Sequence, residues 1–394
     1  MSFQRNHFTW LAYLMIALYG YFLNILGPLT PFLKDELSLS YTVASLHFTA
    51  FAVGILLVGL FGHLLIARVG RWPSLWIGAG GMSLGALLLM AGRSPVMTIG
   101  ASFLMGLVGS LILAIIPSVL SDQYGEQRAV AISEANVVSS LISTAAPLLV
   151  GWFAALAVGW RAALALGAVA PLVMRLAFGK AVPPPVSAAS AGPAAARQPL
   201  SRLFWVYWAA LVLAVSVEFC MVSWSADYLA TGLGVPRPQA AQAVSLFLAA
   251  MILGRLAGSR LVRRFATHAV VTGSILLAGA GFLLYWTTTS AVLGMAGLFV
   301  TGLGVASLYP LVISLAIGAA GGDTALASAR ATLASGTAIL LLPLVLGRLA
   351  DAVGIHLAYG VVAVLLVCMF GMIWITRRRQ GAADRKMKKA ESGA

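Results

Sequence analysis

Charge is what this chain has least of. Only 9% of its 394 residues are Asp, Glu, Lys or Arg, and 11 are acidic. A soluble domain carries roughly 25% charged residues, so a water-facing surface could not be covered with what is here. Cysteine is nearly absent too. Cys220 and Cys368 both fall in apolar segments without metal-ligand spacing. That excludes a disulfide framework and a cysteine metal site and leaves packed free thiols. The sequence has no Walker A motif, no H-E-x-x-H and no N-glycosylation sequon, so ATP-driven and zinc-dependent chemistry have no support. No cofactor or metal is expected, and with no nucleophile or metal cluster the chain is not read as an enzyme. One G-x-S-x-G match, Gly81-x-Ser83-x-Gly85, sits inside an apolar stretch with no strand before it. It reads as G-x-x-x-G helix packing, not as a hydrolase elbow.

What is present is apolar sequence, 61% of the chain. It falls into twelve segments, roughly 8–32, 41–66, 74–92, 96–120, 129–156, 161–179, 203–230, 239–262, 268–288, 291–319, 325–350 and 356–376. Each matches the ~20 apolar residues of a helical membrane span, and none shows the ~10-residue alternation of a barrel strand. Arg5 precedes the first segment without a small-residue cleavage site behind it, so that segment reads as a retained helix.

The net charge of +14 sits mostly at segment ends, the pattern of a membrane protein and not of a nucleic-acid binder. With the N-terminus in the cytoplasm, only Lys34, Arg93, Arg161, Arg237 and Arg348 fall outside, while Arg255 and Arg330 fall within spans. That asymmetry places both termini inside, in an inner or plasma membrane. The expected partners are the lipid bilayer, which the basic residues of 377–394 attract where it is anionic, a small-molecule substrate, and a proton or other coupling ion. The chain is expected to act as a monomer.

A repeat organises the chain. Residues 129–151 recur 196 positions later as 325–347, with Ser139, Pro147, Leu148 and Gly151 matched by Ser335, Pro343, Leu344 and Gly347. The same offset pairs Gly62 with Gly258, Arg68 with Arg264, and Gly106 with Gly302. Where the first copy has Glu134, the second has Arg330. A Pro-, Ala- and Ser-rich linker separates the copies. The expected organisation is a six-helix bundle at 1–181, a cytoplasmic linker at 182–200, a second bundle at 201–376 and a tail at 377–394. The expected fold is an all-α membrane protein of twelve transmembrane helices in two pseudo-two-fold-related six-helix bundles, with a site between them near the midplane.

Twelve spans as six plus six, over residues 8–376, resemble the major facilitator superfamily. Its signature between spans two and three, roughly G-x-x-x-D-R-x-G-R, is met here by Arg68, Gly70 and Arg71, but His63 and Ala67 replace the glycine and the aspartate. The resemblance therefore makes Arg68 and Arg71 candidate cytoplasmic gate residues without their aspartate partner. Ser102 stands where drug/proton antiporters have an arginine. The second half is similar to the fucose-permease-like group in Glu218, Trp224, Tyr228-Leu229, the run from Gly254 to Gly258, and Tyr309-Pro310.

Charges inside a span cost at least ~2.5 kcal/mol near the centre, so they default to function. Glu218, near the middle of span seven, is the first proton-coupling candidate and Glu134 the second. The resemblance places spans five and eight face to face, so Glu134 and Arg255 are expected to pair across the halves as a cytoplasmic gate. Arg255 and Arg330 form an alternative bidentate anion site. Tyr13, Ala17, Tyr21 and Asn24 share one face of span one, and Ser307 and Tyr309 precede a kink at Pro310. With Ser225, these supply the remaining substrate-binding candidates: Tyr13, Tyr21, Asn24, Ser225, Ser307 and Tyr309. The function expected is secondary active transport of a small polar organic solute by alternating access, coupled to protons. The alternatives are an organic-anion carrier using Arg255 and Arg330, a drug-type exporter, and a non-transporting receptor or scaffold, which the very short loops disfavour.

Overall fold

A computed structural model describes residues 4–179, 181, 200–320 and 324–391. The linker expected at 182–200 lies, but for Leu200, outside these residues, as do the side chains of the basic tail from 377 onward. All regular structure among the described residues is helical: α1 (His7–Glu36), α2 (Tyr41–Val69), α3 (Arg71–Ala91), α4 (Pro95–Tyr124), α5 (Arg128–Ala155), α6 (Arg161–Phe178), α7 (Arg202–Gly232), α8 (Arg237–Leu261), α9 (Thr267–Thr287), α10 (Ala291–Val305), α11 (Leu308–Gly318), α12 (Thr324–Ala358) and α13 (Gly360–Glu391), with a 3₁₀ turn at Gly125–Gln127. Ten helical stretches are long and apolar enough to cross a membrane. One of them, Pro95–Ala155, runs for 61 residues, about three times the ~20 that a crossing needs.

Local chemistry sets the helix ends. Asn6, Ser40, Ser94, Ser201 and Ser290 each precede a helix and accept a backbone N–H of its first turn, satisfying donors that hydrocarbon would leave unpaired. Gly70, at φ +92°, ends α2 and turns the chain into α3. Gly125, at φ +51°, does the same between α4 and α5. Both conformations are easy only without a Cβ. The kink expected before Pro310 interrupts the regular helix for two residues, Ala306 and Ser307, which keep right-handed helical dihedrals. α10 ends at Val305 and α11 starts at Leu308, because proline has no N–H for the Ala306 carbonyl and its ring crowds that carbonyl. Gly81 and Gly85 face Val108 and Met105 of α4 with no room for a Cβ, so the Gly81-x-Ser83-x-Gly85 match is a packing surface.

Helices of the first half pack mainly on one another, α1 on α5 and α4 on α2 and α3. In the second half, α10 packs on α8 and α9, and α7 on α11, α12 and α13. The halves meet chiefly through α1 with α7, α5 with α8, and α2 with α12, with a smaller contact of α1 on α8. Each of the three larger pairs carries one glycine at backbone contact. A Cβ at Gly27 would strike the Val222 carbonyl, one at Gly151 the Pro238 carbonyl, and one at Gly347 would lie 2.8 Å from the Tyr41 carbonyl. All three contacts lie toward the face opposite the N-terminus, called the far face below.

Ion pairs reinforce that face. Lys34 of α1 reaches Asp227 of α7 at 2.7 Å, with Asp227 only 1% exposed, and its ammonium lies 3.6 Å from the centre of the Tyr41 ring. Asp35 pairs with Arg237. Asp351 of α12 accepts the Tyr41 and Thr42 amides at 2.8 Å each, so one half caps a helix N-terminus of the other. Arg93 and Arg161 share Glu36. Four of the five basic residues expected on this face are thus neutralised.

Two outcomes follow from this seal. Gly151→Leu or Gly347→Leu should force the halves apart, since overpacking costs about 1–3 kcal/mol. A cysteine placed at buried Ser223 in a background lacking Cys220 and Cys368 should then react faster with an impermeant maleimide; unchanged labelling contradicts the assignment. Asp227→Asn should lower the melting temperature, because a buried charge left unpaired costs about 3–5 kcal/mol, and the double variant Lys34→Met/Asp227→Leu should recover most of the loss.

Candidate functional site

A cavity of about 460 Å³ lies between the halves, walled by α1 and α5 on one side and α7, α8 and α11 on the other. Its α5 wall is a polar stripe. Asn136, Ser139, Ser140, Ser143 and Thr144 follow the i, i+3, i+4, i+7 spacing of one helix face. Gly20 lets α1 approach that stripe, because a Cβ there would come within 2.5 Å of both Ser139 Oγ and Ser143 Oγ. Ser139 donates to the Ile16 carbonyl at 3.2 Å, and Asn24 to the Gly20 carbonyl at 2.9 Å.

Opposite stand Glu218 of α7 and Arg255 of α8, 3.9 Å apart and 20% and 44% exposed. At that separation the pair attracts without the short hydrogen bonds of a tight bidentate bridge. Tyr309 and Pro310 close the end at the α10–α11 interruption. Toward the far face lies an apolar layer containing Leu23, Phe48, Phe51, Phe219 and Val222 around a void of only about 10 Å³, too small for more than a single water. Beyond it are the Lys34–Asp227 and Asp35–Arg237 pairs. Among the described residues, the ion pairs joining the halves are these two, both on the far face. The pairs near the N-terminal face, Arg5–Glu134 and Arg71–Asp122, lie within the first half.

Of the residues singled out from the sequence, Asn24, Glu218, Arg255 and Tyr309 meet in this cavity. The others sit elsewhere. Tyr21 donates to the Ala163 carbonyl at 2.7 Å. Ser225 lies 3.2 Å from the Tyr359 hydroxyl, buried within the second half. Ser307 donates to the Gly254 carbonyl at 3.3 Å. Arg71 pairs with Asp122 at 2.5 Å, and Arg68 is exposed.

Two expected pairings are corrected. Glu134 does not meet Arg255. Its carboxylate accepts both Arg5 donors, at 2.6 and 2.8 Å, and the Tyr13 hydroxyl at 3.1 Å. The reason is that α5 lies along α1, which brings the residues just before α1 to the start of α5. Arg255 finds its carboxylate in its own half, on the neighbouring α7. Nor do Arg255 and Arg330 form one anion site. Arg330 is exposed, its carbonyl accepts the Trp208 indole at 2.8 Å, and it does not line the cavity.

Sequence reasoning missed the serine stripe and the Lys34–Asp227 pair. The signal was present for both: polar residues at helical spacing within an apolar run, and a carboxylate inside the segment 203–230.

A family model for the Major Facilitator Superfamily matches residues 12–266 and 206–392. The chain is 31% identical over 154 residues to an uncharacterized MFS-type transporter of Yersinia pestis, covering 38% of this chain and 39% of that protein. It is 32% identical over 164 residues to an uncharacterized transporter of Sinorhizobium fredii, covering 42% and 43%. The matched stretches thus span about two fifths of these relatives' lengths. Among solved structures, a bacterial homolog of the human lysosomal transporter Spinster, inward-facing and occupied, superposes with TM-score 0.76 at 16% identity, covering 94% of this chain and 96% of that one. The nucleoside transporter NupG gives 0.77 at 13% identity, covering 94% and 98%. FucP in the outward conformation gives 0.60 at 18% identity, covering 93% and 98%. At these identities the structures speak to fold alone, and the match of the family model carries the assignment: the chain is a multi-pass membrane protein that belongs to the Major Facilitator Superfamily.

Proposed function

We propose that this protein is a secondary active transporter that carries a small polar organic solute across the membrane by alternating access. The observation that carries the reading is the cavity between the halves: polar on its α5 wall, charged at Glu218 and Arg255, and sealed on one face only. The hydroxyl and amide groups of the α5 wall and the charged pair opposite favour a polar solute over the amphipathic cargo of a drug-type exporter, beside an apolar α8 face of Leu248, Met251 and Ile252. Twelve crossings follow if Pro95–Ala155 crosses twice and the shorter apolar helix Gly360–Thr376 crosses once. They divide into two six-helix bundles related by an axis along the membrane normal. Both termini are cytoplasmic, the far face is external, and the conformation is inward-facing. The better superposition on the inward-facing Spinster homolog than on outward-facing FucP is consistent with that state.

Glu218 is the coupling residue in this reading. Deprotonated, it neutralises Arg255, and the empty carrier can close around a neutral pair. Protonated, it releases Arg255 to the solute. Closing over a lone buried charge is costly, so the protonated carrier closes only when the solute's negative charge or acceptor groups take the place of the Glu218 carboxylate on Arg255. The cavity-facing guanidinium supports a second reading within the same mechanism, in which the solute bears a carboxylate held by Arg255 alone.

In proteoliposomes with an imposed pH gradient, Glu218→Gln should abolish uphill accumulation while leaving counterflow exchange. Undiminished uphill uptake by this variant would remove Glu218 from coupling. If the solute is a carboxylate, Arg255→Lys should weaken its binding about tenfold, because the planar two-donor fork is lost. The check is a ligand-dependent melting shift across sugars, carboxylates and cationic drugs. Equal shifts in both proteins would leave the carboxylate reading without support.

A further inference from the structure

A second concavity, of about 420 Å³, lies away from the central cavity. α8 and α9 both pack on α10 and hardly touch each other, which leaves a groove between them. It is almost wholly apolar. Ala257 on α8 and Gly273 on α9, where a Cβ would meet nothing within 4 Å, keep it open, while Gly254 and Gly258 let α8 close on Leu303, Ala306 and Ser307 at its floor. From Gly254 to Leu261 at its mouth the groove follows seven residues, about 10 Å at the helical rise. That is most of the depth of one leaflet in a ~30 Å hydrocarbon core. Around the mouth stand Arg260, Arg263 and Arg264, all exposed. The connection from α8 to α9 contains no acidic residue. No ion pair among the described residues involves these arginines.

The repeat supplies an internal control. At the 196-residue offset, Gly254, Ala257 and Gly273 correspond to Val58, Phe61 and Ile77, and Arg260 and Arg263 to Leu64 and Ala67. Only Arg264 has a basic counterpart, Arg68. The scaffold therefore requires neither the hollow nor the charge cluster, yet the second half has both at one place. In a bilayer an apolar groove open to hydrocarbon takes up lipid chain, because an empty one forfeits contacts along its whole lining. Guanidinium groups at its mouth favour a phosphate.

We propose that the α8–α9 groove is a binding site for one anionic phospholipid, with an acyl chain along Gly254, Ala257, Gly258 and Gly273 and the headgroup phosphate on Arg260, Arg263 and Arg264. The site is independent of the central cavity and of what that cavity carries.

The test is native mass spectrometry of the full-length protein in detergent. It is titrated with phosphatidylglycerol, with phosphatidylcholine of the same chains, and with glycerol phosphate alone. One phosphatidylglycerol should be retained where phosphatidylcholine is not. Removing the three arginines (Arg260→Gln, Arg263→Gln, Arg264→Gln) should weaken that adduct about tenfold or more, the scale of charge-assisted hydrogen bonds. Ala257→Phe with Gly273→Ile, which installs the first-half residues, should abolish it although the arginines remain. Ala257→Phe alone serves if the double variant does not purify as a folded monomer. Equal retention of the two lipids, an undiminished adduct in the filled groove, or competition by glycerol phosphate as strong as by the lipid would each overturn the proposal.

Discussion

The structure depends on three places where the halves touch backbone to backbone on the far face. Gly27 on α1, Gly151 on α5 and Gly347 on α12 let their helices lie against α7, α8 and α2 without an intervening side chain. Membrane helices gain no hydrophobic energy from packing on each other, so close approach through small residues is their main means of association. Gly151 and Gly347 are also equivalent positions of the repeat. The scaffold thus makes the same contact twice, once from each half. These contacts bring Lys34 to Asp227 and Asp351 to the start of α2, and they seal the apolar layer above the cavity.

The opposite side follows from the same geometry. With the halves held together on the far face, α5 and α8 still meet where Ser245 donates to the Thr144 carbonyl at 2.7 Å. Nearer the N-terminal face, Glu134 is held within its own half by Arg5 and Tyr13. The cavity then opens where its polar stripe and its one loosely paired carboxylate can be reached. Glu218 and Arg255 are close enough to neutralise each other and too far apart for a short hydrogen-bonded bridge.

The two halves share a frame and differ in what they carry. Glu134 and Arg330 occupy the same repeat position, yet one is bound to Arg5 and the other is exposed. Gly258 and Gly62 are likewise equivalent, but a Cβ at Gly258 would strike Ser307 of the neighbouring connection, while one at Gly62 would press on Val58 of its own helix. The repeat keeps Gly151 and Gly347, which make the backbone contacts of the far-face seal. Side chains facing lipid or cavity were free to diverge.

Much of this was legible in the residues alone. Apolar runs of spanning length, serine caps, the kink before Pro310, the repeat and the basic asymmetry all depend on short-range chemistry, and they determined the helices, their order and the class of protein. Asn24, Glu218, Arg255 and Tyr309 stood out as polar or charged residues within apolar spans, but that they line one cavity came only from the structure. The partners of the charges were not legible either. Arg5 reaches Glu134 and Lys34 reaches Asp227 across 129 and 193 positions of sequence, and nothing in local pattern or repeat spacing encodes such a pairing. It is set by which helices lie side by side and by how far each is rotated. A rotation of one residue, about 100° on a helix with 3.6 residues per turn, turns a cavity-lining group toward lipid. That rotation is decided by packing across the whole molecule, and only the tertiary structure holds it.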